Sequence, residues 1–269
     1  MAASNPRVKE ARKLSRRSVR SERRLFLADG PNAVTEALAA GVVEEVFTDG
    51  RLLLPEIPAG VTLSTVDDRA MKALSDSVTP AGVVALCRFL DVPVESLVEG
   101  RGAPATSPAT PAVGAGSRLV AICAEVRDPG NAGTVIRCAD AAGADGVVLA
   151  GDAVDAYNPK TVRASAGSLF HLPIALSRDP LEAIRTARDA GMQVLAADGA
   201  GEVGLHQAGD LLAGPTAWLF GNEAHGLPED LAAAADHRVR IPIHGRAESL
   251  NLSTAAALCL YESARAQRS

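Results

Sequence analysis

The side chains best suited to binding and turning over a ligand are concentrated between Trp218 and Ser253. Trp218-Leu219-Phe220 is an apolar run that breaks into Gly221-Asn222-Glu223-Ala224-His225-Gly226-Leu227-Pro228. A second run, Ile241-Pro242-Ile243, breaks into His244-Gly245-Arg246-Ala247-Glu248-Ser249-Leu250-Asn251-Leu252-Ser253. Each has the form strand, loop, helix, and ligands of α/β proteins collect at the carboxyl ends of strands. Glu223, directly after a strand end, can face a cation or a substrate hydroxyl; Asn222 beside it can cap a helix or close a turn. Ser249 can cap the last helix, expected from about Ser249 to Arg265. Asn251 and Ser253 place polar groups where the first turns of that helix would be core. The two loops look like two walls of one small-molecule site.

Three further stretches carry candidate chemistry. Asp128-Pro129-Gly130-Asn131-Ala132-Gly133 leaves a strand and opens a helix that bears Arg137. Its glycines would let another backbone or a phosphate come close, and Arg137 could reach a ligand, or simply sit at the surface. Val162-Arg163-Ala164-Ser165-Ala166-Gly167-Ser168 surrounds one Arg with small residues, which suits either phosphate contact or a tightly packed helix end. Gly199-Ala200-Gly201-Glu202-Val203-Gly204 matches GxGxxG, with Glu223 roughly 20 residues on, as a dinucleotide fingerprint would have. The segment after it is short and broken by Gly209 and Gly214-Pro215, which argues against an NAD site.

These loops need a scaffold, and apolar patterning supplies one. From Leu119 onward strands alternate with helices: Leu119 to Glu125, Gly146 to Ala150, Leu172 to Leu176 and Gln193 to Ala197 as strands, with helices over 131–143, 158–168 and 180–190. That order implies a mainly parallel sheet covered on both faces. Residues 25–98 form a smaller alternating β/α unit, and 99–117, rich in Pro, Gly, Ser, Thr and Ala, is expected to be a flexible linker. The net charge of −5 conceals an asymmetry. Residues 1–24 hold nine Lys/Arg against two Glu, leaving 18 basic and 30 acidic residues elsewhere. A basic arm, expected as one helix over 5–23, on an acidic body suggests a polyanionic partner.

Composition excludes several classes. Aromatics are only 3% of the chain, too few for a base-stacking sheet platform. No apolar run approaches the ~20 residues of a membrane span. No secretory signal is recognisable, and Cys87, Cys123, Cys138 and Cys259 are far apart in apolar segments, so a cytoplasmic protein with reduced thiols is expected. Histidines are scattered, and no metal is expected.

Taken in order, Asn131-x-Gly133-x-x-x-Arg137, Phe220-Gly221-Asn222-Glu223-x-x-Gly226-Leu227, and Ile241-Pro242-Ile243-x-Gly245 with Glu248-Ser249-Leu250-Asn251-Leu252-Ser253-x-Ala255 resemble the three motifs of the SpoU (TrmH-type) RNA ribose 2′-O-methyltransferases of the SPOUT superfamily. The resemblance covers 118–269 closely. Leu25-Phe26-Leu27-Ala28-Asp29-Gly30 and Leu74-Ser75-Asp76-Ser77-Val78-Thr79-Pro80-Ala81-Gly82-Val83 are similar, more loosely, to the family's L30e-like substrate-binding domain, with Asp29 where many relatives have Glu.

The resemblance implies an α/β fold: a SPOUT domain with a mainly parallel sheet and a C-terminal trefoil knot, preceded by a small L30e-like domain. It implies S-adenosylmethionine as methyl donor, a homodimer with sites at the interface, and RNA as substrate, ribosomal rather than transfer RNA from the two-domain layout. By position, Asn131, Arg137, Glu223, Ser249 and Asn251 would form the catalytic set. Ala196, Ala197, Gly221, Asn222, Gly226, Ile241, Ile243, Leu250 and Ser253 would hold the cofactor. Arg163, and Arg16, Arg17, Arg20 and Arg24 of the basic arm, would contact RNA. An RNA-binding protein of the same fold without catalysis, or an enzyme using NAD at Gly199–Gly204, are the competing expectations.

Overall fold

The computed structural model describes residues 1–99 and 118–268. Helix α1 (Pro6–Arg12) starts at Asn5, whose side chain accepts the N–H of Arg7, and is followed by a 3₁₀ turn over Lys13–Ser15 and by α2 (Arg17–Arg23). Arg16 is extended between them, so the basic segment is two helices and not one. The bend lets Val8, Ala11 and Leu14 pack on Leu27, Phe47, Met71, Leu74 and Val84. Residues 1–24 are therefore one wall of the first domain, not an arm attached to it.

The rest of that domain runs β1 (Leu25–Asp29), α3 (Pro31–Ala39), β2 (Val43–Thr48), β3 (Thr62–Thr65), α4 (Asp68–Leu74) and β4 (Val83–Arg88). Its sheet has the order β1-β4-β2-β3, antiparallel except for the parallel β2–β3 pair. The period of two in β1 sends Phe26 and Ala28 toward α3 and Leu27 toward α1 and α4.

The chain crosses to the second domain at Phe89–Val92. Val92 already donates to the Ile174 carbonyl (2.9 Å), and α5 (Val94–Val98) buries Leu97 and Val98 against Val120, Ile122 and Ile184. The boundary expected near residue 98 thus lies earlier. Most of the expected linker, 100–117, falls outside the described residues; it joins α5 to the next strand, both within the second domain.

That domain continues β5 (Leu119–Ala124), α6 (Pro129–Ala142), β6 (Gly146–Ala150), α7 (Pro159–Ala164), β7 (Ile174–Ser177), α8 (Pro180–Asp189), β8 (Gln193–Ala197), β9 (Val203–Gly204), α9 (Gly209–Leu212), β10 (Thr216–Phe220), α10 (Glu229–Ala233), β11 (His237–Arg240) and α11 (Leu252–Gln267). The seven strands, ordered β7-β6-β5-β10-β8-β11-β9, pair in parallel throughout. β5 sends Leu119, Ala121 and Cys123 to the α6/α11 side, and Val120, Ile122 and Ala124 to the α5/α8 side. Burial on both faces explains why these strands are apolar runs without alternation. Gly199–Gly204 leads into the two-residue β9 and a 3₁₀ turn rather than a helix. A Cβ on Gly201 would lie 2.7 Å from the Arg238 carbonyl, so close strand packing accounts for that glycine.

One apolar core runs through both domains. Phe26 of β1 contacts Phe89, Tyr157 and Phe170, and Phe89 stacks on Tyr157 at 3.7 Å between centroids. Fully burying rings of this size stabilises by ~2 kcal/mol each. Tyr157 donates its hydroxyl hydrogen to Asp91 (2.8 Å) and accepts the N–H of Leu90 (2.9 Å), which fastens the crossover to the second domain. Polar clamps flank this core. His171 lies between Glu36 (2.9 Å) and Asp140 (3.0 Å), one from each domain; burial disfavours its cation, but the two carboxylates outweigh that and raise its pKa. Arg163 reaches Asp76 (3.3 Å) and Ser77 (3.4 Å), and Asn32 donates to the Ala166 carbonyl.

Arg20 departs from its expected role as an RNA contact. It is 2% exposed, donates Nε and Nη2 to Asp155 (2.8 and 2.6 Å) and Nη1 to the carbonyls of Leu14 and Ser15. Its donors are used inside the fold. Removing one member of such a buried pair strands the other charge, at a cost of ~3–5 kcal/mol. Asp155→Ala is expected to lose stability on that scale in urea unfolding, and Arg20→Met combined with Asp155→Leu to regain most of it. A wild-type urea midpoint for Asp155→Ala would show that the pair does not hold the domains.

Candidate active site

A cavity of about 320 Å³ opens at the carboxyl ends of β8, β10 and β11. Ala197, Asp198 and Gly199 form one side, Phe220 to Ala224 with Gly226 another, and Ile241, Ile243, Glu248, Ser249, Leu250 and Leu252 a third. The 222–226 turn is closed by reciprocal backbone hydrogen bonds between Asn222 and Gly226 (2.9 Å each). Asn222 Oδ1 accepts the N–H groups of Ala224 and His225, and its Nδ2 donates to the Glu125 carbonyl, tying the turn to the end of β5. Gly226 has φ +69°, and a Cβ on Gly221 would come 2.4 Å from the Gly226 carbonyl carbon; both positions need glycine for the turn to fold back on itself.

The polar groups beside the cavity come from three separate segments. Glu223 accepts the backbone N–H of Arg127 (3.2 Å) and of Asp128 (3.1 Å), and Nδ2 of Asn131 (3.2 Å). Asn131 in turn accepts from Asn251 Nδ2 (2.9 Å). Asn251 Oδ1 takes the N–H groups of Ser253 and Thr254 and the Ser253 hydroxyl, so Asn251 is the N-cap of α11. Ser249, expected in that role, lies upstream in the cavity wall, exposed and without a hydrogen bond among the described residues. Asp128 caps α6 by accepting the N–H of Asn131 (2.7 Å). Gly133 admits the backbone of α7, since a Cβ there would lie 2.5 Å from the Thr161 carbonyl oxygen. Its role is packing and not phosphate approach.

Arg137 stands apart from this cluster. Six residues beyond Asn131 on α6, it points about 120° away around the helix axis. It is exposed and makes no hydrogen bond or ion pair within the chain among the described residues. Of the expected cofactor residues, Ala197, Gly221, Asn222, Gly226, Ile241, Ile243 and Leu250 line the cavity. Ala196 is buried in β8 and Ser253 is turned toward Asn251, so neither lines it. Arg16 and Arg17 are exposed and unpaired among the described residues, whereas Arg24 is bonded to Asp91 and lies over Phe89. Sequence reasoning missed the Arg127 and Asp128 amides and the acidic lining residues Asp198 and Glu248. An Asp before Pro-Gly-Asn is a capping signal, but backbone donors leave no trace in residue type.

A parallel α/β domain with an amide and carboxylate cluster at its strand ends, joined to a small mixed domain, defines a two-domain enzyme of the SPOUT type. The SpoU rRNA Methylase family model matches residues 118–261, and the MRM3-like substrate binding domain matches residues 5–85. The chain belongs to the SpoU family. It is 32% identical over 265 residues to the 23S rRNA (guanosine(2553)-2′-O)-methyltransferase RlmP of Bacillus subtilis, covering 97% of this chain and 96% of that one. The AdoMet-bound rRNA methyltransferase of Sinorhizobium meliloti superposes with a TM-score of 0.82 at 33% identity, over 97% of this chain and 95% of that one. The SpoU methyltransferase AviRb of Streptomyces viridochromogenes, in complex with AdoMet, gives 0.80 at 29%, over 98% and 99%. The match to the MRM3-like substrate binding domain begins at residue 5, in agreement with the burial of α1 residues Val8 and Ala11.

Burial opposes ionisation of Glu223, but hydrogen bonds from its own backbone N–H, from Arg127 and Asp128, and from Asn131 outweigh it and hold the pKa below the ordinary carboxylate value. A carboxylate with a depressed folded pKa contributes stability above its unfolded pKa and loses it as pH falls through the folded value. Glu223→Gln should therefore melt earlier than wild type at neutral pH. The gap should close as pH drops below 4.5. A gap that persists into acid would show that the ionised carboxylate is not what joins these loops.

Proposed function

We propose that the chain transfers a methyl group from S-adenosylmethionine to a ribose 2′-hydroxyl of 23S ribosomal RNA. The observation that carries this reading is the charge of the cavity beside the amide cluster. Its ionisable lining residues are Asp198, Glu223 and Glu248, with no Lys or Arg. Such a lining suits a cationic sulfonium and repels the pyrophosphate of a dinucleotide. Ile241, Ile243, Leu250 and Leu252 offer an apolar slot for a planar base. Bound there, S-adenosylmethionine supplies an electrophilic methyl group. The relatives RlmP and AviRb, one named for 23S rRNA 2′-O-methylation and the other solved with AdoMet, support the same assignment.

The chain's own task is alignment of the hydroxyl oxygen behind the methyl carbon. A guanidinium stays charged at any working pH, so Arg137 acts by gripping the phosphate next to the target ribose and stabilising the developing alkoxide. Glu223 already accepts from Arg127, Asp128 and Asn131 and has a lowered pKa, which makes it a poor proton acceptor. It positions the loop that opens α6, and the proton leaves to water or phosphate. Asn131 and Asn251 hold that loop against α11, and Ser249 faces the reacting groups from the cavity wall.

Arg137 faces away from the cluster of its own chain, which supports a homodimer in which the second copy brings it to the site. Leu258 and Tyr261 on α11 (42% and 54% exposed) supply an apolar surface for that contact. The path from β11 through the 241–251 loop into α11, packed on α6, is consistent with the family's trefoil knot. No helix among the described residues is long and apolar enough to cross a membrane, and we place the enzyme in the cytoplasm with its ribosomal substrate.

Calorimetry should detect binding of S-adenosylmethionine and not NAD, and methyl transfer should appear on 23S rRNA transcribed in vitro. Transfer to transfer RNA alone would move the substrate; binding without transfer to any RNA would leave a non-catalytic binder. Arg137→Lys is expected to lose most turnover, on the order of 100-fold, with cofactor affinity intact. Equal loss of both would refute the division of labour between Arg137 and the cavity.

A further inference from the structure

Away from the acidic cavity, two adjoining clefts open where α2 meets the loop after β6. One, about 290 Å³, is lined by Arg17, Arg20, Arg127, Asp152, Asp155 and Asn158. The other, about 140 Å³, shares Arg17 and Asp155 and adds Arg24, Phe89 and Leu176. Their charges are not equivalent. Arg20 is consumed by the buried Asp155 pair, which fastens α2 to the floor. Arg127 meets Asp152 at 3.2 Å, but both side chains are largely exposed, and such a pair is weak and readily exchanged. Arg17 has no hydrogen bond or ion pair among the described residues. It is also the first residue of α2, whose first turn holds no acid, so its charge faces the positive end of the helix dipole. Fold stability does not explain a cation there.

The same cleft touches the chemistry. The backbone N–H of Arg127 holds Glu223, while its side chain lines the cleft. A polyanion lying along the cleft therefore ends at the loop that leads into α6 and Asn131. Beside it, Arg24 is laid over Phe89 at 4.7 Å and bonded to Asp91, which fixes a guanidinium plane of the kind on which unstacked bases rest.

We propose that this cleft guides the RNA strand flanking the methylated nucleotide: Arg17 and Arg127 grip neighbouring phosphates, and Arg24 supports a base. The proposal rests on RNA being the substrate. Phosphate contacts of this kind fix register and add to the salt dependence of binding. Asp152 yields Arg127 to the incoming phosphate, while Arg20 and Asp155 keep the cleft open as positioning residues.

The test uses the full chain and labelled 23S rRNA transcribed in vitro, with filter binding across a salt series. Arg17→Ala should weaken RNA binding roughly fivefold and lower the salt slope by about 0.7, and the Arg17→Ala/Arg127→Ala double variant should lower it about twice as far. S-adenosylmethionine affinity by calorimetry and the melting temperature of Arg17→Ala should stay at wild type. Arg185→Ala, an equal loss of charge on α8 outside the cleft, should leave binding unchanged. A wild-type salt slope in the double variant, or an equal loss in Arg185→Ala, overturns the cleft while leaving methyl transfer by the wild type as it was found. A wild type that neither binds nor methylates RNA overturns the functional reading and the cleft together.

Discussion

The hydrogen bonds gathered by one carboxylate organise the site. Glu223 stands just after β10, exposed to solvent, where its two oxygens can accept several donors at once. It finds them in the Arg127 and Asp128 amides and in Asn131, on a loop far away in sequence. Asn131 then offers its oxygen to Asn251, which closes the first turn of α11. The carboxylate, the start of α6 and the start of α11 thus form one bonded network. Because α6 and α11 also pack on each other through the apolar core, the network sits on rigid elements and needs little ordering when a ligand arrives.

The same economy governs the domain junction. Phe26, Phe89, Tyr157 and Phe170 merge the two cores, and Tyr157 bonds the crossover itself through Asp91 and Leu90. A substrate-binding domain tethered by a long flexible linker would have to be ordered anew at each encounter. Here the crossover is a few residues long and pinned at both ends, so the distance from α2 to the Arg127 loop is set before RNA binds. Positioning chemistry depends on that, since small misplacements of the reacting oxygen cost rate steeply.

Much of this could be seen in the chain before folding, and the exceptions share a cause. The parallel sheet of the second domain was legible because doubly buried strands are continuous apolar runs, and the three polar motifs were legible through their order and spacing, which resemble those of a known family. The domain boundary was misplaced because the low-complexity stretch after Glu99 is a stronger compositional signal than the ordinary residues Phe89–Val92. Arg20 and Arg17 are identical in type and three residues apart, yet one is buried in an ion pair and the other is exposed and unpaired among the described residues. Asp155 decides between them, 135 residues from Arg20, and no local pattern carries that information. Ser249 and Asn251 are both good caps; which one closes α11 was settled by the bond from Asn251 to Asn131, again a long-range term.

The charges around the site have a physical sense of their own. A protein that must bind both a sulfonium cofactor and a polyanion faces opposite electrostatic requirements within a short distance, where screening at physiological salt extends only about 8 Å. The fold separates them. Asp198, Glu223 and Glu248 border the cofactor cavity, and Arg17 and Arg137, unpaired among the described residues, stand outside it. Glu223 lies at the divide: its charge faces the cavity, and its hydrogen bonds hold the loop whose Arg127 side chain turns the other way. Glu223 so placed adds to the negative lining of the cofactor cavity, while Arg17 and Arg127 line a cleft on the far side of the loop it holds.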